Sequence, residues 1–402
     1  MKTTTSSRLK LLSAAAAVVF LAAVFSWNTY QNATHEDYHN SNFSKFWIAG
    51  HMVLTGQNPY DPTQWYNAHI QLGATWIPDK IFLYPLPQAF LLVPLALLPP
   101  QASFLFWGIL SQTILAITCF VLLNQPGWIR QKRLFVPLVI FFLFFGPVYL
   151  SLQIGSIGAI AMAALLVAII LLEQNKSLPA GLALSLLALK PPQGFPILFL
   201  AGIWFLFRRD WKAIAGMILG GLILLIGGLI YDPLWIQKFL NNSESILGRT
   251  LGVQSNLWSL SYLACNANGT CTAILGGVLF VGLITAGGWF VWRFRSQLTA
   301  WETFSIIIPI AFVCAVYLFA YDQMLFIFPI VWIAAKLVER TKSYVPSLLF
   351  MIGLDVLSIA LLVVQANTKS DVWNISITII VLGLCFWLLR VDKRSLEQLN
   401  RL

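Results

Sequence analysis

Ala213-Ile-Ala-Gly-Met-Ile-Leu-Gly-Gly-Leu-Ile-Leu-Leu-Ile-Gly-Gly-Leu-Ile-Tyr231 runs for 19 residues without a charged side chain. A helix rises about 1.5 Å per residue, so a hydrocarbon core of about 30 Å needs roughly 20 mostly apolar residues. This stretch therefore predicts a spanning helix. Eleven further apolar runs read the same way, at 9–27, 102–123, 134–151, 156–173, 178–190, 191–207, 271–292, 304–320, 323–338, 344–365 and 373–390. The pair 178–190 and 191–207 is short and Pro-punctuated, and reads as one broken helix or two short ones. The expected fold is an all-α integral membrane protein of about twelve transmembrane helices, a single polytopic domain over 1–402.

Composition agrees. Charged residues are 10% of the chain and hydrophobic ones 58%, whereas a soluble domain carries about 25% charged residues. Too few charges remain to cover a water-exposed surface. The net charge of +10 does not point to nucleic acid, because the basic residues fall in short clusters between apolar runs and form no stripe interleaved with aromatics. They read as topology signals. With Lys2, Arg8 and Lys10 before the first run placed inside, strict alternation puts 19 of the 25 basic residues on the cytoplasmic side, the bias that orients membrane helices. Both termini are then cytoplasmic. The first run has a basic start and an Ala-rich core but no good small-x-small cleavage site, so it reads as an uncleaved anchor.

A long outer segment, 28–101, separates the first two runs. Within it Phe43 to Leu54 carries a helical apolar stripe that stops near Gly56, and Asn58-Pro59-Tyr60-Asp61-Pro62 is a turn signal. Leu83-Tyr84-Pro85-Leu86-Pro87 opens a run to Leu98 that is too short to span and suits an interfacial or re-entrant helix. A second outer segment covers 232–270. Long structured loops often carry function. No internal repeat of fixed period is visible, which weighs mildly against transport.

Polar residues are scarce, so each is informative. His35, His39, His51 and His69 all lie in the first outer segment, with Glu36, Asp37, Asp61 and Asp79. Asp322 sits where one apolar run reaches the outer face and the next begins; it is either a turn residue or a carboxylate facing an outer cavity. Lys190, in Leu189-Lys190-Pro191-Pro192, is a snorkelling helix end or a cation placed for a phosphate. Arg249 is a solvated loop charge or serves likewise. Asp355 stands mid-span and is expected to pair with a neighbouring helix. His35, Asp37 and His39 are too closely spaced for a tetrahedral metal site, and no Cys/His spacing suggests zinc. Cys265 and Cys271 share an outer loop where a disulfide is permitted, and the pairing is left open. The chain has no P-loop, nucleophile elbow, GxGxxG or HExxH, and no cofactor or metal is expected.

The outer segment resembles a known pattern. Asn42-Phe43-x-x-Phe46-Trp47-x-Ala49-Gly50, then Gly56-x-Asn58-Pro59-Tyr60-Asp61, then Tyr84-Pro85-x-Pro87, Pro94-Leu95 and Leu98-Pro99, is similar to the first loop of glycosyltransferase family 87. These are bacterial GT-C membrane enzymes related to polyprenol-phosphate-mannose-dependent mannosyltransferases. Leu189-Lys190-Pro191, Gln254-Ser255-Asn256-Leu257 and Tyr321-Asp322 resemble later motifs in the same order. Where the family usually carries Asp, this chain has Asn42, and Gly155 is followed by Ser156 in place of the family's Gln.

The resemblance implies an inverting hexosyltransferase of the plasma membrane. It would move a sugar, mannose first among the choices, from a polyprenyl-phosphate carrier to a lipid or glycan acceptor on the extracytoplasmic face. On this reading the general base is Asp37, with Asp322 second; Asn42 positions a sugar hydroxyl. Lys190 and Arg249 hold the donor phosphate, and Tyr60, Asp61 and Asn256 bind substrate. The partners are the donor, the acceptor and membrane lipids, with no nucleic acid. Two competing readings stay open: a polytopic transporter or lipid flippase, and a non-catalytic relative motivated by Asn42.

Overall fold

The structure, a computed structural model, describes residues 41–74, 77, 81–124 and 131–399, with side chains throughout except at 242–249 and 390–399. The expected first span at 9–27, and His35, Asp37 and His39, lie outside the described residues. Every described element is a helix or helical turn.

The outer segment supplies α1 (Asn42–Leu54), α2 (Pro62–Gln71) and α3 (Leu86–Ala96). Then follow α4 (Pro100–Asn124), α5 (Phe135–Phe144), α6 (Gly146–Gln153), α7 (Gly158–Glu173) and α8 (Ser177–Ser185). The 3-10 turn Leu186–Leu189 leads to α9 (Pro191–Arg208), α10 (Trp211–Tyr231), α11 (Trp235–Thr250), α12 (Leu257–Ala264) and α13 (Gly269–Phe294). The chain closes with α14 (Ala300–Cys314), the 3-10 segment Ala320–Phe326, α15 (Ile327–Thr341), α16 (Val345–Thr368) and α17 (Ile375–Leu399).

Local chemistry sets several of these boundaries. Ser41 caps α1, Asp61 caps α2 ahead of Pro62, Asn256 caps α12 and Asn268 caps α13, each side-chain oxygen accepting a backbone N–H of the first turn. Thr299 and Glu302 form a reciprocal capping box on α14. The outer-loop helix expected at Phe43–Leu54 and the short apolar helix expected after Tyr84 are both present, as α1 and α3.

The expectation of twelve spans is not met among the described residues. Six helices are long and apolar enough to cross a bilayer: Pro100–Asn124, Trp211–Tyr231, Gly269–Phe294, Ala320–Thr341, Val345–Thr368 and Val372–Leu389. A seventh results if α5 with its leading turn and α6, bent by 64° at Phe145, count as one. The run at 134–151 divides there because Gly146-Pro147 starts a new helix. The run at 156–173 makes a 16-residue helix. Residues 178–190 and 191–207 form two separate helices, because Pro191 and Pro192 have no N–H to continue the first ladder. The run at 304–320 stops at Cys314, where side chains take over the backbone groups: Trp258 Nε1 donates to Cys314 O (3.4 Å) and Leu318 N to Gln254 Oε1 (2.8 Å).

Two buried clusters divide the molecule. The larger surrounds α14, α15 and the 3-10 segment between them, whose Ile306, Ile307, Ile308, Phe312, Phe326 and Phe328 are fully buried. Trp301 Nε1 donates to Phe328 O across them (3.1 Å). The second joins α1 and α3 through Phe43, Phe46, Trp47, Trp65 and Phe82. Gly155, at φ +63°, lets α1 dock, since a Cβ there would sit 2.5 Å from Phe43 Cβ. Gly181 and Gly216 bring α8 and α10 backbone to backbone, the close approach small residues permit in membranes. Cys265 and Cys271 are disulfide-bonded across their seven-residue loop.

Candidate functional site

Lys190 ends the 3-10 turn after α8 and precedes the two prolines of α9, so it projects from a sharp reversal. The reversal is tight: a Cβ on Gly194 would fall 1.9 Å from Leu187 O. Asp322 lies in the 3-10 segment between α14 and α15. The two side chains, 132 residues apart, form an ion pair with Lys190 6% and Asp322 3% exposed. The other Asp322 oxygen accepts the Phe319 N–H (2.9 Å). Burial without pairing would cost several kcal/mol per charge, so the contact keeps both ions inside. Lys190 Nζ also lies 5.2 Å from the centroid of the Tyr321 ring. Asn42, at the start of α1, hydrogen-bonds the Tyr321 side chain. Asn42 and the Lys190–Asp322 pair are thus gathered around Tyr321.

Beside them is a cavity of about 440 Å³, lined by Leu83, Tyr84, Pro192, Phe195, Phe239, Phe280 and Tyr317 among others. Lys190 is the one charged side chain among its described lining residues. Phe195 and Phe199 on its wall are each 56% exposed, and Leu240 57%, so the cavity opens at an exposed apolar face.

The remaining candidates take other places. Asp37 lies outside the described residues. Arg249 is the penultimate residue of α11, and its side chain is not described. Tyr60 is buried, donates to Tyr84 O and has its phenol pushed well above the usual range by burial and the nearby Asp232 charge. Asp61 caps α2, accepting from Thr63 N and Gln64 N at 2.9 Å. Asn256 is fully buried, caps α12 and donates to Gln254 Oε1 (3.0 Å). The polar groups of Tyr60, Asp61 and Asn256 are therefore engaged by the scaffold, and none of the three lines the cavity. Asp355 has not found the helix partner expected of it: its Oδ1 is buried with no hydrogen bond among the described residues.

Three supports have contacts that the sequence does not assign, although Asp232 and Asp371 stand out in it as outer-face charges and Gln254-Ser255 as part of a motif. Asp371, 3% exposed, accepts the Ala320 N–H (2.8 Å), and its own N–H donates to Val253 O (2.7 Å). Burial pushes its carboxyl up to about 6, against the pull of that N–H, and the Asp322 charge adds to the rise. Gln254 Oε1 and Ser255 N hold Leu318 from the other side. Asp232 anchors the first outer segment to α11 by accepting from Asn58 Nδ2 (2.9 Å) and Lys238 Nζ (2.7 Å). Although burial opposes it, these hydrogen bonds hold its carboxyl below the usual range. No spacing in the chain announces these contacts, which join residues up to 174 apart.

What this arrangement can do is hold one anionic group at Lys190 with an apolar body in the cavity. No curated protein and no solved structure matches the chain. The model of glycosyltransferase family 87 matches residues 82–319, a span that begins beside Tyr84 and ends three residues before Asp322. More than half of the chain is covered, and the protein belongs to glycosyltransferase family 87.

Proposed function

We propose that this glycosyltransferase moves a hexose, mannose first, from a polyprenyl-phosphate carrier to a lipid or glycan acceptor at the extracytoplasmic face of the plasma membrane, with inversion. The observation that carries the proposal is Lys190 standing as the single charged side chain among the described residues that line an open, apolar cavity of about 440 Å³. An isoprenoid chain fits the Phe- and Pro-rich wall, and its phosphate meets the ammonium. Lys has three N–H donors. One serves Asp322, leaving two for phosphate oxygens.

Inversion places the attacking oxygen and the leaving oxygen on opposite faces of the anomeric carbon. A carboxylate sharing the phosphate's ammonium stands on the leaving-group side. Asp322 therefore suits the task of fixing Lys190, and Asp37 that of base. In the step, Asp37 takes the acceptor hydroxyl proton as the acceptor oxygen bonds to the anomeric carbon. The bond from that carbon to the phosphate oxygen breaks, and its electron pair leaves with the phosphate, stabilised by Lys190. General-base help is worth about 10²–10⁴-fold. Asn42 contacts a sugar hydroxyl and Arg249 adds a second cation for the phosphate.

The test is transfer from radiolabelled polyprenyl-phosphate-mannose by purified protein, beside Asp37→Asn, Asp322→Asn and Lys190→Gln. Asp37→Asn should lose turnover with donor KM unchanged, while Lys190→Gln and Asp322→Asn should raise donor KM. Inert wild type with mannosyl, glucosyl and arabinosyl carriers alike would remove the proposal.

A further inference from the structure

From the end of α14 into the 3-10 segment that begins at Ala320, the chain carries Tyr317, Phe319 and Tyr321 at alternate positions. The rings of Phe319 and Tyr321 stack at 5.7 Å with an interplanar angle of 11°, and Tyr317 meets Phe319 edge-on at 5.2 Å. Tyr317, Phe319, Tyr321 and Tyr84 are each half-buried as residues, and the Tyr321 phenol itself is buried. Tyr84 and Tyr317 line the cavity. The Tyr321 phenol interacts electrostatically with those of Tyr317 and Tyr84 and with Asp322, and it is hydrogen-bonded to Asn42. Stacked aromatic faces thus stand with three phenols and an amide around the Lys190–Asp322 pair.

Interface aromatics that merely anchor a helix lie with their rings in the lipid boundary. This group instead borders a buried ion pair, on a connector held in place by Gln254, Ser255 and Asp371. Aromatic faces carry partial negative charge. A pyranose has one face of polarised C–H bonds that fits them and a rim of hydroxyls that needs donors and acceptors. Phenols and a carboxamide supply both kinds. We infer that Tyr317, Phe319 and Tyr321, with Tyr84 and Asn42, form a pyranose-binding platform at the mouth of the cavity, its sugar belonging to the donor or to the acceptor. The inference rests on the transferase reading for its role in turnover, but sugar binding can be measured without turnover.

The experiment compares wild type with Phe319→Leu, Tyr317→Leu and Phe319→Trp. Phe319→Leu removes the ring yet keeps the backbone N–H that Asp322 accepts, and an unchanged melting temperature confirms folding. Saturation-transfer NMR with methyl mannoside and methyl glucoside reads the sugar site, and dodecyl phosphate reads Lys190 alone. Phe319→Leu and Tyr317→Leu should weaken glycoside binding about tenfold and leave dodecyl phosphate binding within twofold, whereas Phe319→Trp, which keeps a ring at 319, should bind glycoside as wild type does. In turnover, a tenfold rise in donor KM alone assigns the platform to the carrier's sugar, and a rise in acceptor KM alone assigns it to the acceptor. Glycoside binding lost with the ring in a protein that transfers nothing supports the platform and removes the transferase reading. No glycoside binding by wild type, or binding and both KM values unchanged in the leucine variants, overturns the platform.

Discussion

Breaking the Lys190–Asp322 pair from each side, and then from both, separates its cost from its use. Asp322→Asn keeps an acceptor for the Phe319 N–H but strands an ammonium that is 6% exposed. Lys190→Met strands a carboxylate that is 3% exposed, with the Phe319 N–H as its remaining hydrogen bond among those described. Removing one member of a buried pair costs about 3–5 kcal/mol, whereas replacing both is often near neutral. Because Lys190 lines an open cavity that water can enter, the lower end applies. Each single change should destabilise by about 3 kcal/mol, roughly a hundredfold in the folding equilibrium. The double variant should stay within about 1 kcal/mol of wild type, a coupling of several kcal/mol. Unfolding in mixed micelles of a mild detergent and SDS measures all four proteins. Activity should behave otherwise, with the double variant as inactive as Lys190→Met. If the double variant loses the sum of the two singles, the ions do not sustain one another and the reasoning fails.

Gly155→Ala should cost about 2 kcal/mol or more and lower the melting temperature, since it forces a side chain onto φ +63° with a Cβ 2.5 Å from Phe43. The carboxyl of Asp371 titrates near 6 in the folded chain against about 4 when unfolded. A raised carboxyl favours the folded state when protonated, so its contribution is full below about pH 4 and is lost as pH rises through 6, by up to about 3 kcal/mol. Asp371→Asn should remove that slope from stability measured between pH 4 and 7. Reducing the Cys265–Cys271 bridge should cost only about 2 kcal/mol, because the loop it closes is short. Asn256→Ala should cost about 1 kcal/mol through the lost cap and leave both KM values unchanged, whereas a substrate ligand would raise one of them.

The helical membrane fold was legible because apolar length is a local property. So were α1 and α3, whose stripes and flanking prolines are local too. The span count was not. Whether an apolar run is one helix or two depends on breaks that are stabilised from elsewhere, as Gln254 and Trp258 stabilise the end of α14. Lys190 and Asp322 were legible as candidates because a charge between apolar runs stands out. Their pairing was not, since it joins positions 132 residues apart. Tyr60, Asp61 and Asn256 looked functional for a sound reason, namely polar residues in turn motifs. The same chemistry caps helices, as Asp61 and Asn256 do, while the Tyr60 phenol donates to Tyr84 O. Asp371 stands out as an outer-face charge, but its role was not legible, because it depends on which backbone N–H a distant segment leaves open.

The cavity's opening between Phe195, Phe199 and Leu240 changes the dimensionality of the encounter. On the proposed reading, a polyprenyl-phosphate carrier entering sideways would never leave the leaflet, so it would search a surface instead of a volume, and its mole fraction among the lipids would govern occupancy. Half-saturation measured in micelles should therefore drift with the amount of detergent at fixed carrier and collapse onto one curve when plotted as carrier per amphiphile. On that reading the spent carrier phosphate would leave by the same door and compete for Lys190 in proportion to its share of the same leaflet.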